Sequence, residues 1–180
     1  MVTLDWLLMT YKVPAEPTTK RIALWRKLKG MGGVYLQNGV CLLPKTDEHL
    51  RQLKRLEYDV LEMGGDCVIL ETTALDGVQQ GRVVDRFKAD RNEQYAELIG
   101  RCADLEKEIA KEIAKQKFTY AELEEEDTDL KKLFGWFEKI QKLDFYDAPL
   151  AKEAQARLRQ CADILEDYAR QVYEANDENR

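Results

Sequence analysis

Residues 6–44, WLLMTYKVPAEPTTKRIALWRKLKGMGGVYLQNGVCLLP, constrain the fold more than any other stretch. They read as strand, helix, strand, tight turn and strand. The run VTLDWLLMTYKV over 2–13 is rich in β-branched, aromatic and large apolar residues, and both of its alternation sets, Trp6/Leu8 and Leu7/Met9/Tyr11, are apolar. A strand apolar on both sides is covered on both faces or is central in its sheet. Pro14 and Pro17 end it, because proline cannot donate to a ladder. Thr18 or Thr19 then caps a helix running to about Met31, with Ile22, Trp25, Leu28 and Met31 as its apolar stripe and Leu24 beside them. Gly30, Gly32 and Gly33 stop that helix. Asn38-Gly39 between two short β-prone runs predicts a hairpin with a type I′ turn, which needs positive φ at both central residues.

Thr46 begins a second helix, with Asp47 and Glu48 in its first turn, where the helix dipole favours anions. Its expected buried side is Leu50, Leu53, Leu56 or Glu57, Val60 and Leu61, and Gly64-Gly65 ends it. CVILETTAL, over 67–75, reads as a fourth strand. The order βαββαβ predicts an α+β, ferredoxin-like domain over 1–76: a four-stranded antiparallel sheet with two helices on one face. In that sheet the first strand lies between the third and fourth, so it separates Cys41 from Cys67.

Residues 77–84 read as a linker, and the composition changes from Asp85 onward. Tyr95, Leu98, Cys102, Leu105 and Ile109 step by three and four. Thr119 with Glu122 matches a capping box, and Leu123, Leu130, Leu133, Phe137 and Ile140 follow at helical spacing, with Phe134 and Trp136 alongside. Glu124-Glu125-Glu126-Asp127 reads as a solvated stretch. Pro149 starts a last helix carrying Leu150, Ala154, Leu158, Cys161, Leu165, Tyr168 and Val172 on one face, and the terminal NDENR reads as frayed. Residues 85–180 are thus expected to form an antiparallel helical hairpin or three-helix bundle, packed within the chain or serving as a dimer interface.

Function is less legible. No GxSxG, Walker loop or GxGxxG is present, and His49, the single histidine, is expected as an exposed bystander on a surface helix. The four cysteines are widely spaced with no CxxC, which suits reduced thiols rather than a zinc site. No catalytic residue, metal ligand or cofactor is assigned. With no secretion signal and no apolar run of membrane length, a cytoplasmic protein is expected. The net charge is −6, but residues 1–55 hold ten Lys/Arg against four Asp/Glu. Lys20, Arg21, Lys27, Arg51, Lys54 and Arg55, on the first two helices, are therefore the candidate anion- or nucleic-acid-binding residues.

Two resemblances add to this reading. The run WLLMTYKV followed by a basic helix and a hairpin resembles the start of the small ferredoxin-like CRISPR adaptation nucleases, which carry a metal-holding aspartate after a tyrosine at the end of the first strand. Here Tyr11 is followed by Lys12, a cation that cannot ligate Mg²⁺, so a nuclease is not expected. The blocks WLL..Y.VPAEP, the basic helix with Trp25-Arg26, and GVYLQNGVCLLP are similar to the N-terminal domain of the ChrB family. So are DR.EQYAEL over 90–98, FTYAELE over 118–124 and DFYDAP over 144–149. That resemblance implies chromate-responsive regulation of a chromate efflux gene; a regulatory module of that kind is expected to bind DNA or a chromate-like oxyanion through its basic half and to form a homodimer through its sheet edge or helices. Longer family members carry a C-terminal domain, so a separate protein supplying one is an expected partner. A non-catalytic interaction or dimerisation scaffold is the alternative.

Overall fold

A computed structural model describes residues 2–177, and the chain divides into two compact units, 1–90 and 91–180. The last three residues of the expected frayed end lie outside the described residues.

The first unit contains β1 (Asp5–Lys12), α1 (Thr18–Gly30), β2 (Val34–Gln37), β3 (Val40–Pro44), α2 (Asp47–Glu62) and β4 (Asp66–Thr73). The sheet order is β2-β3-β1-β4 with every neighbouring pair antiparallel, which is the expected ferredoxin-like arrangement. β1 is central, pairing Met9 with Cys41 on one side and Tyr11 with Cys67 on the other. The two cysteines are kept apart as expected, and all four thiols are free. One sheet face packs Leu7, Met9, Cys41 and Leu43 against Leu24 and Leu28 of α1 and Leu53, Leu56 and Val60 of α2. Trp6, Leu42 and Val34, on the alternate positions, are buried as well. This explains why both alternation sets of β1 are apolar.

Several local expectations are corrected. The buried pair of α1 is Leu24 and Leu28, four residues apart, whereas Ile22 and Trp25 are 46% and 49% exposed. Its N-cap is Pro17, with no side-chain cap. α2 does start from Thr46, whose hydroxyl accepts from the His49 amide at 3.0 Å. Leu50 and Leu61 are exposed, however, and His49 is buried, with Nδ1 2.8 Å from the Pro44 carbonyl. Facing the sheet from the first helical turn, the imidazole reaches a carbonyl at the end of β3 and leaves solvent. In the hairpin only Gly39 has positive φ, +75°, so the turn is not type I′; the ladder shifts register between Tyr35 and Gln37. Glycine is required at 39 because a Cβ there would lie 2.5 Å from the Tyr11 carbonyl oxygen.

Residues 77–84 are helical instead of a linker: they open α3 (Gly77–Ala114). Asp76 begins it, accepting the Gln79 amide on its side chain at 2.9 Å and the Gln80 amide on its carbonyl at 3.0 Å. Within the first unit this stretch is tied to the segment before β1 and to β2. Gln80 accepts from the Leu4 amide and donates to the Val2 carbonyl, both at 2.9 Å, and Arg86 donates to the Tyr35 carbonyl at 3.2 Å.

The second unit joins the remainder of α3 to α4 (Tyr120–Lys142) and α5 (Ala151–Asp177) around one core. Tyr95, Leu98, Cys102 and Ile109 of α3, Leu130, Phe137 and Ile140 of α4, and Ala154, Leu158, Cys161, Tyr168 and Val172 of α5 are all buried there, as the helical spacing predicts. Thr119 caps α4 by accepting from the Glu122 amide. The Glu122 carboxylate pairs with Lys117. Within the acidic run Glu126 is buried, not solvated, since it falls between Leu123 and Leu130 on the apolar stripe.

Candidate anion-binding cleft

Helical spacing places Thr18, Arg21, Ile22, Trp25 and Lys29 on one face of α1, next to the buried Leu24/Leu28 line. That face forms one wall of a cleft of about 920 Å³. The end of β1, with Tyr11 and Lys12, and the hairpin, with Tyr35 and Asn38, supply the floor. Arg86 and Asp90, one turn apart on α3, close another side.

The charge in the cleft is positive. Lys12, Arg21, Lys29 and Arg86 line it against one carboxylate, Asp90. Lys29 is held to Asp90 at 2.9 Å, both side chains being about two-thirds to three-quarters buried (33% and 26% exposed), so its charge is largely offset. Arg86 is positioned by the Tyr35 carbonyl, to which its guanidinium donates at 3.2 Å. Lys12 and Arg21 have no ion-pair partner among the described residues.

Tyr11 and Tyr35 meet hydroxyl to hydroxyl at 2.7 Å, their rings edge to face with centroids 6.4 Å apart. Burial pushes both phenols up from their ordinary range, so both stay protonated at neutral pH. Two hydroxyls carry two protons and their mutual bond uses one. The second O–H is not used in that bond, and both phenols line the cleft. Cys41, beneath this pair, is pushed up to about 12 by burial, so no thiolate forms there to oppose an anion.

Of the six residues expected from sequence, only Arg21 lines this cleft. Lys20 is exposed on α1, and Lys27 is paired with Asp59 of α2 at 3.1 Å. Lys54 lies 3.9 Å from Glu57 on its own helix, while Arg51 and Arg55 are exposed on α2. Lys12, Lys29, Arg86 and the aromatic wall were not singled out as site residues. For Trp25 and Lys29 the signal was present in the spacing 18, 21, 22, 25 and 29, which reads equally well as a mixed surface face; for Lys12, Tyr35 and Arg86 no local signal exists. Among the described residues no three His, Cys, Asp or Glu side chains are grouped to hold a metal ion, and no helix is long and apolar enough to cross a membrane.

A family model described as "Protein ChrB, N-terminal" matches residues 21–179. The chain belongs to the ChrB N-terminal family. The curated Protein ChrB of Cupriavidus metallidurans is 32% identical over 92 residues. That match spans 51% of this chain and 28% of the relative's length. The region shared with the ChrB family model includes Arg21, Trp25, Lys29, Tyr35, Asn38 and Arg86 of the cleft.

Proposed function

We propose that this protein is a ChrB-type regulatory module of chromate resistance that receives an oxyanion in the cleft between α1, the hairpin and α3. Membership of the ChrB N-terminal family supports the regulatory reading. The observation that carries the site is the meeting of Lys12, Arg21, Lys29 and Arg86 around a phenol pair that has one proton to give. Charge-assisted N–H···O bonds are about twice as strong as neutral ones, and a partly enclosed site screens them less than open surface does. The module is proposed to work with a C-terminal ChrB region, in a longer chain or in a partner.

Calorimetric titration with chromate and with sulfate tests this. Removing one charged hydrogen-bond donor costs about 1.5–3 kcal/mol, so Arg21→Ala should weaken binding by about 10- to 150-fold. Lys54→Ala, outside the cleft, should leave affinity within about twofold. Equal heats for the wild-type protein and Arg21→Ala would reject the site. A second reading, DNA binding, is favoured by Arg51, Lys54 and Arg55, which share an exposed stripe of α2 with Tyr58, itself 65% exposed. On that reading, affinity for promoter DNA falls steeply with salt, and Arg51→Ala with Arg55→Ala reduces the slope by about 1 per lost phosphate contact. A non-catalytic scaffold predicts neither response.

A further inference from the structure

The cleft is larger, and less uniformly polar, than an inorganic oxyanion requires. A four-oxygen anion fills the space of a few water molecules, at about 30 Å³ each. The cleft offers about 920 Å³, in the range of sites that enclose organic ligands. Its α1 wall also carries two large apolar side chains in contact with solvent. Trp25 is 49% exposed and Ile22 46%, and both line the cleft, together with Val34. Trp25 has no ring partner among the described residues. It lies four residues from Arg21 and four from Lys29 on the same helical face, so an indole surface stands between two cations. Flat aromatic ligands stack on such a surface, and every nucleobase or aryl ring has a π-face to offer.

We infer that the cleft takes an anion joined to a planar aromatic ring, with the ring on Trp25 and the anionic group among Lys12, Arg21 and the Tyr11–Tyr35 hydroxyls. A nucleoside monophosphate and an aryl carboxylate share this chemistry. The inference rests on the cleft being the anion site and adds that its ligand is aromatic. The charges supply attraction, and Trp25 supplies the selectivity that bare charge lacks.

The test uses the full chain, with calorimetry and intrinsic tryptophan fluorescence. Trp6 is buried at 1% exposure and Trp136 belongs to the second unit, so a ring landing in the cleft is reported by Trp25. The probes are inorganic phosphate, AMP, adenosine and benzoate. AMP or benzoate should bind at least tenfold tighter than phosphate and quench the fluorescence, and adenosine, without the anion, should bind at least tenfold more weakly than AMP. Trp25→Ala should abolish the advantage over phosphate, and Trp25→Phe should keep most of it. Whichever of AMP and benzoate is preferred identifies the source of the ring. If neither exceeds phosphate, or if Trp25→Ala weakens all anions equally, the aromatic ligand is rejected while the anion site stands. If no anion binds, both fall. A half-exposed Trp25 is outside the core, so circular dichroism of the two variants should match the wild type.

Discussion

Glu126 offers a direct test of how the second unit handles a buried charge. It is 6% exposed on the core side of α4, and no hydrogen bond or ion pair holds it among the described residues. Glu108 and Glu112 of α3 and Glu125 and Asp129 of α4 add repulsion to its burial, while Arg101 and Lys132 border the same groove. Burial first, then these carboxylates, push its carboxyl up from 4.5 to about 7. The sign of the effect follows from linkage. Below about pH 4 both folded and unfolded chains hold the proton and nothing is lost. Between 4.5 and 7 the folded chain keeps a proton that the unfolded chain has released, so stability falls as pH rises; above 7 the penalty is complete. A displacement of this size corresponds to about 3 kcal/mol. Glu126→Gln keeps the shape and removes the charge. Urea unfolding followed by far-ultraviolet circular dichroism should find it about 2–3 kcal/mol more stable than wild type at pH 8, and nearly equal at pH 4.5. The difference between the two pH values cancels titration of groups common to both proteins. A Glu126→Gln variant that is no more stable at pH 8, or equally stabilised at both pH values, would refute the reasoning.

Three further outcomes are expected. Gly39→Ala should destabilise the first unit by about 1–3 kcal/mol in urea unfolding, because the turn has φ +75° and its Cβ would meet the Tyr11 carbonyl; an unchanged midpoint would mean the hairpin relaxes freely. Leu158→Ala, at 1% exposure in the three-helix core, should cost about 2–5 kcal/mol by the same assay. Tyr168→Phe removes a 2.7 Å bond to the Lys117 carbonyl in the turn between α3 and α4 and should cost about 1 kcal/mol, with faster amide exchange in the residues around 112–118 as the local readout.

The fold was largely legible because its strongest signals are periodic. The three stripes of the second unit were read residue by residue, since long helices repeat the pattern often enough to average out exceptions. Glu126 shows the limit: it falls on the stripe by position, but its chemistry argued for solvent. Short elements were less legible. In α1, Ile22, Leu24, Trp25, Leu28 and Met31 admit more than one stripe, and only the position of the helix on the sheet selects Leu24 and Leu28. Two glycines concealed the start of α3, although Asp76 followed three residues later by Gln79 is an N-terminal signal. Gly81 has open space where a Cβ would stand, so no backbone need places it there, and a glycine inside a helix costs only about 1 kcal/mol against alanine.

The cleft was less legible than the fold because charge in a sequence is counted before pairing. Six basic residues on two helices suggested one surface, but Lys54 has Glu57 three residues on in its own helix, and Asp59 faces Lys27, a relation that cannot be read without the packing of α2 on α1. Conversely, in sequence Lys12 stands out only as a cation unable to hold a metal. Its placement beside Arg21 depends on β1 ending next to the hairpin, where the Tyr11 amide donates to Gly39 at 2.8 Å. Arg86 lies 65 residues from Arg21 in sequence and reaches the same space only because α3 is anchored to the edge strand at the Tyr35 carbonyl. What identifies the cleft is therefore the cations left after ion pairs are subtracted, Lys12, Arg21 and Arg86, together with the exposed indole one turn from Arg21. A double substitution that introduces a carboxylate at position 12 and removes the guanidinium at 21 should eliminate anion binding more completely than any change on α2, because it reverses the part of the field that no internal carboxylate already offsets.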